Sequence, residues 1–196
     1  MFIVNSLRSS THCSIRRINY WLWAVFFLTI VWLLRVSLDS GLNIHLFGAM
    51  LMALMFGWRM GVLGLSLANV LVALFRDALW VNIGTAIILN AVVPVSVACF
   101  IFLLLEYKLP RHFFIYIYGS AFFGAWLTNA CAGLAIALVL GAFNVFTWSL
   151  LSGEYLPYFL LFGFSEAFLT SGLITLFVVY RPDWVYSFRD QQYLNK

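Results

Sequence analysis

Residues 83–105 read IGTAIILNAVVPVSVACFIFLLL, a run with no charged residue. About 20 predominantly apolar residues are enough for a helix to cross a bilayer, and this stretch reaches that length. Its apolar residues are continuous, which excludes the polar-in, apolar-out alternation of a barrel strand. In lipid the backbone must satisfy its own N–H and C=O groups, and a helix does so within one segment. The rest of the chain repeats the pattern: of 196 residues, 64% are apolar and 9% charged, with a mean hydropathy of +1.00. A water-facing domain of this size needs far more charge on its surface. The fold class is therefore all-α: a polytopic membrane helix bundle forming one integral domain over residues 1–196.

Outward from 83–105, the apolar runs predict about six spans, at roughly 20–35, 44–57, 60–75, 83–105, 113–141 and 157–180. The run 44–57 is short for a crossing and 113–141 is long, so the first is expected to be partial and the second tilted. An even number puts both termini on one side. With that side cytoplasmic, the N-terminal segment 1–19, the inner loops and the tail 181–196 hold Arg8, Arg16, Arg17, Arg59, Lys108, Arg111, Arg181, Arg189 and Lys196. Only Arg35 and Arg76 fall outside, each near a carboxylate, Asp39 and Asp77 respectively. This is positive-inside sorting, and it accounts for the net charge of +4 without a nucleic-acid partner. The loop 142–156, whose one charge is Glu154, belongs outside.

Residues 16–34, RRINYWLWAVFFLTIVWLL, have the basic and apolar regions of a signal sequence, but RVSLDSG follows without a small-x-small cleavage site. They are expected to form an uncleaved anchor helix. No stretch is left for a soluble domain, so any ATPase has to come from a partner. Cysteines 13, 99 and 131 are odd in number and widely spaced, which supports neither a disulfide framework nor a CxxC site.

Four polar residues interrupt the last four predicted spans: Asn69, Asn90, Asn129 and Glu166. Burying an unpaired amide or carboxyl in lipid is costly, so all four are expected to face the bundle or a cavity, as a polar core or as gating groups. Asn90 precedes Pro94 by about one turn, where proline leaves a carbonyl without its helical donor. The competing reading for the asparagines is interhelical packing, because small residues recur at spacing four. Examples are Gly57/Gly61, Gly64/Ala68, Ser120/Gly124/Thr128 and Asn129/Gly133/Ala137/Gly141.

One histidine stands at the head of an apolar run, in HLFGAMLMALMFG at 45–57. Helical spacing would put Gly48, Met52 and Met55 or Phe56 on the face of His45, at the outer mouth of the second span. A neutral imidazole is a common transition-metal ligand, thioethers would bias such a site toward Cu(I), and nitrogen ligands suit Ni, Co or Zn. The bland alternative is an interfacial histidine beside gap-filling methionines. His12 and His112 lie on the cytoplasmic side and cannot join it. No Gly-x-Ser-x-Gly, His-Glu-x-x-His or paired Asp is present, so the chain is not expected to be an enzyme.

The segments NIHLFGAMLMALMFG (43–57), NIGTAIILNAVVPV (82–95), LPRHFF (109–114), EYLP (154–157) and SEAFLTSGLITLFVVYRPDWVYSF (165–188) resemble the CbiM/NikM-type family. These are the substrate-specific membrane subunits of energy-coupling-factor (ECF) transporters for cobalt and nickel, and the chain is most similar to a shorter bacterial branch known as ECF transporter permeases. The resemblance implies a component in the cell inner membrane that takes Co2+ or Ni2+ as cargo and keeps no permanent cofactor. It also implies a transmembrane coupling subunit and cytoplasmic ATPases as partners, with Arg59, Lys108 and Arg111 on the loops that would meet them. His45 matches a metal-ligating histidine of the family by its place before Gly48-Ala49. The family's Met-His start has no match in Met1-Phe2. The alternative is a non-transporting interaction or assembly protein of the same fold that has lost the metal site.

Overall fold

The computed structural model describes residues 2–34, 36–37, 43–76, 82–110 and 112–188, with residues 2–16, 36–37 and 43–44 described by backbone alone. Five helical elements account for most of it. They are α1 (Phe2–Leu33), α2 (Ala49–Phe75), α3 (Ile83–Lys108), α4 (Phe113–Ala142) and α5 (Trp148–Tyr180). A short hairpin, β1 (Val36–Ser37) with β2 (Asn43–Ile44), follows α1, pairing Val36 with Ile44 and Ser37 with Asn43. Arg35, Asp39, Asp77, Arg111, Arg189 and Lys196 lie outside the described residues.

Among the described residues, the four helices α2 to α5 are long and apolar enough to cross a membrane, and the apolar part of α1, Arg17–Leu33, is shorter. Their outward faces are greasy: Phe100, Leu103, Phe123, Leu138, Leu161 and Phe168 are all more than half exposed. That surface suits lipid rather than water. The chain is a multi-pass membrane protein.

The expected spans 44–57 and 60–75 meet a different arrangement. Both fall in α2, whose path breaks at Gly57 (φ 77°, ψ −180°). In a continuous helix, residues 52 and 61 would be separated by about 13 Å of rise. Instead, a Cβ built on Gly61 lies 3.6 Å from the carbonyl carbon and oxygen of Met52. The chain therefore turns back on itself at Gly57, a reversal open to glycine because its φ and ψ are unfavourable for any residue with a Cβ. The first arm, 49–56, rises only about 12 Å. Residues 45–48 leading into it are not helical, and Gly48 at the entry is left-handed (φ 68°).

This short arm is the centre of the molecule. Residues 49–55 read AMLMALM, apolar on every face, and such a helix is stable only when surrounded. All seven are at most 7% exposed. Met52 points its methyl at Gly64, and Met50 packs its methyl over Gly124, where a built Cβ would sit 2.7 Å away. The thioethers fill notches that glycines leave open.

Proline and small residues shape the surrounding helices. In α3 the turn over Ile88–Val92 widens to π geometry just ahead of Pro94, as expected where a proline cannot donate to the preceding carbonyls. On α4, Asn129, Gly133, Ala137 and Gly141 form one buried stripe. α5 lies against it closely: a Cβ on Gly133 would meet Phe159 Cδ1 at 2.5 Å, and one on Gly141 would meet the Trp148 ring at the same distance.

Candidate functional site

The short arm is held at both ends by α5 and the segment that follows it. At its start, the Phe47 N–H donates to Glu166 Oε2 (3.0 Å) and the Gly48 N–H to Glu166 Oε1 (2.9 Å). Glu166 is 2% exposed. The first N–H groups of a helix have no partner within it, and a carboxylate there answers both their hydrogen-bonding need and the helix dipole. At the other end, the last carbonyls of the arm take donors from the chain after α5: Tyr186 N–H to Met55 O (3.1 Å) and Ser187 N–H to Leu54 O (3.1 Å). The Ser187 hydroxyl adds a bond to Leu54 O (2.9 Å) and shares one with the Tyr116 hydroxyl (2.7 Å).

Two residues before the capped N-terminus stands His45. It is not on a helix, so the face expected for it, with Gly48 and Met52, does not form. Its ring instead packs on Trp32 (4.6 Å between centroids) and edge-on to Phe47 (5.2 Å), with Nδ1 3.4 Å from Leu46 O. The tautomer protonated at Nδ1 carries its lone pair on Nε2.

His45 lines a cavity of about 320 Å³, together with Trp32, Asn69, Arg76, Asn82 and Asn90. Two of the expected polar residues thus meet it there. Asn90 Nδ2 reaches Asn69 Oδ1 (3.4 Å), and Asn69 Nδ2 donates back to Leu65 O (3.2 Å). The Arg76 guanidinium donates to Leu33 O, the end of α1, and so marks the cavity's end of the bundle.

The other expected residues are elsewhere. Glu166 reaches the cavity segment through the backbone amides of residues 47 and 48, and the Ala49 amide at the start of α2 adds to them. Asn129 ties α4 to α5 by donating to Phe159 O (3.2 Å). Arg59 and Lys108 are exposed at the opposite end, and Arg111 lies outside the described residues. His112 accepts the Phe114 N–H at the start of α4, also at that opposite end. Glu154 is exposed and is not in the cavity wall.

Trp32 and Asn82 escaped the sequence reading, because an indole in an anchor helix and an asparagine in a loop are ordinary. Arg76 did give a signal, as one of two basic residues on the sparsely charged side. Among the described residues no three His, Cys, Asp or Glu side chains cluster as a metal site.

Residues 1–184 match the family described as the cobalt uptake substrate-specific transmembrane region, CbiM. The chain belongs to the CbiM family. No curated protein and no solved structure matches it. CbiM membership makes the protein a substrate-specific transmembrane component of cobalt uptake, within a family of transport components rather than enzymes. In this CbiM protein the cavity wall brings together the imidazole of His45 and the carboxamides of Asn69 and Asn90.

Proposed function

We propose that this protein is the substrate-binding membrane component of an ECF transporter, with Co2+ as cargo and Ni2+ as the closest competitor, and that the cavity beside His45 receives the cargo. The observation that carries the reading is the placement of His45. In a chain matching a cobalt-uptake family over residues 1–184, His45 opens onto a polar cavity at the end away from Arg17, Arg59, Lys108 and Arg181. His45 is the proposed metal ligand, Asn69 and Asn90 the polar wall, and Glu166 the positioning residue that holds the His45 segment. Asn129 fastens α4 to α5.

The proposed topology has six passes, counting both arms of α2 and taking the short arm as a partial crossing, with both termini cytoplasmic. Supporting it, Arg17, Arg59, Lys108 and Arg181 belong to one end. Arg17 lies over the Tyr186 ring (5.7 Å), Tyr20 packs on Trp184 (4.1 Å), and Phe113 at the start of α4 meets Phe188 (6.4 Å). Arg76 is at the other end. This is the sorting a bacterial inner membrane protein shows. Arg59, Lys108 and Arg111 then face the cytoplasm, where the coupling subunit and ATPases would engage.

The test is Co2+ accumulation by cells producing the protein with its transporter partners, wild type beside His45→Ala. The expected result is loss of accumulation in the variant at unchanged membrane abundance. Undiminished uptake would remove His45 from the site, and purification without any ATPase would remove the ECF coupling.

A further inference from the structure

We propose that the groove between α1 and α5 binds one phospholipid with an anionic headgroup, an acyl chain lying in the groove and the headgroup phosphate at Arg17 and Arg181. The site is separate from the His45 cavity and does not depend on the cargo reading. The proposed topology enters only in placing the lipid in the inner leaflet.

The groove encloses about 450 Å³, within the range of small-molecule sites. Trp23 and Phe27 of α1 form one wall, Leu173 and Phe177 of α5 the other, and Leu51 and Met55 of the short arm lie beneath them as the floor. Along α1 it runs from Tyr20 to Leu28, about 12 Å of helix rise. Trp23 is 69% exposed and Phe27 52%, so the groove opens sideways, toward the hydrocarbon around the bundle. Its aliphatic and aromatic lining suits a hydrocarbon chain. A partner helix fits less well, because close helix contacts favour small residues and this wall projects two indoles and two phenyl rings, counting Trp184 at its end.

Charge and aromatic placement select the headgroup. Tyr20 packs on Trp184 at the end of the groove (4.1 Å between centroids), a ring pair of the kind that sits at headgroup depth. Arg17 stands about one turn before Tyr20 and lies over the Tyr186 ring (5.7 Å). Arg181 closes α5, its N–H donating to the carbonyl of the groove residue Phe177 (2.7 Å). Each wall helix thus carries an exposed arginine just beyond the ring pair. A guanidinium presents a planar fork of donors that matches phosphate oxygens, and basic side chains at the cytoplasmic surface attract anionic lipids. Asp183, exposed in the same turn, opposes an anionic headgroup, so the preference rests on the two arginines acting together.

The experiment is native mass spectrometry of the detergent-purified full-length protein, titrated with phosphatidylglycerol or with phosphatidylcholine of identical acyl chains. The expected result is one phosphatidylglycerol bound at least about tenfold more tightly than phosphatidylcholine. The double variant Arg17→Gln, Arg181→Gln changes only exposed side chains, and it should bring phosphatidylglycerol down to the phosphatidylcholine level. Leu173→Trp fills the groove with both arginines in place and should remove the tightly bound lipid.

Equal retention of the two lipids by wild type would overturn the inference, since the headgroup would then count for nothing. An undiminished preference in the double-arginine variant would overturn the placement of the phosphate, and a tight adduct surviving in Leu173→Trp would overturn the groove as the chain's site. Retention of neither lipid by wild type would overturn the proposal outright and leave the groove to a partner helix.

Discussion

Removing the Glu166 carboxylate should undo the seating of the short arm, and the size of the effect follows from its contacts. Its two oxygens accept the N–H groups of Phe47 and Gly48 at 3.0 and 2.9 Å in a site where the side chain is 2% exposed. In Glu166→Ala both donors remain buried with no acceptor, at a cost of about 1–3 kcal/mol each. Loss of the negative group at a helix N-terminus adds about 0.3–2 kcal/mol. The total is about 2–8 kcal/mol, a large share of what holds a protein of this size together. Glu166→Gln keeps one carbonyl oxygen but must turn its NH2 toward the second amide donor, so about 2–3 kcal/mol is lost.

The assay is thermal unfolding of the purified protein in detergent, followed by intrinsic tryptophan fluorescence. At about 2–4 °C per kcal/mol for a chain of this length, the alanine variant should unfold on the order of 10 °C below wild type, with glutamine in between. Cobalt accumulation should fall in the same order, because His45 is two residues from the capped amides. An alanine variant within about 2 °C of wild type would refute the reasoning, and so would a glutamine variant as unstable as alanine. The first would mean that the arm is held by packing alone. The second would mean that hydrogen bonding through one oxygen counts for nothing.

Two further perturbations probe the turn and the helix contact. Gly57→Ala should cost about 1–3 kcal/mol in the same unfolding assay through backbone strain alone, since the added Cβ meets only the Tyr186 ring at an ordinary 3.4 Å; unchanged stability would mean that the reversal at Gly57 tolerates a side chain. Gly133→Ala drives a Cβ to 2.5 Å from Phe159 Cδ1 and should destabilise by about 1–3 kcal/mol. Gly172→Ala, with nothing within 4 Å, should be neutral or stabilising by up to about 1 kcal/mol, and equal effects at the two sites would contradict the close α4–α5 contact.

What could be read in the sequence was what depends on local pattern. Continuous apolar runs specify membrane helices because lipid leaves the backbone no other partner, and the stripe Asn129, Gly133, Ala137, Gly141 specifies a contact face because residues four apart lie together on a helix. The proposed direction rests on the asymmetry of Lys and Arg, which is likewise a property of loops and not of packing. The resemblance carried in residues 43–57 and 165–188 pointed to the family that the match over residues 1–184 shows.

The arrangement of the site was not readable, and the reason is sequence distance. Whether an apolar run spans the bilayer or turns back within the bundle is decided by what receives its ends. Here the receivers are Glu166, 119 and 118 residues from the amides it caps, and Ser187, 133 residues from the carbonyl it meets. Read alone, 45–57 supports one regular helix with His45 on its methionine face. With Glu166 drawing the amides of residues 47 and 48 onto itself and Gly48 left-handed, the helix begins four residues later and the imidazole leaves that face for Trp32. The pattern did hold one local sign of this, a run apolar on every side, AMLMALM, closed by glycine. A helix with no polar face and only about two turns of length has too little reach to cross lipid and too much apolar surface to lie at an interface. Full enclosure by the other helices is the remaining solution, and it requires both ends of the helix to be capped from within the fold.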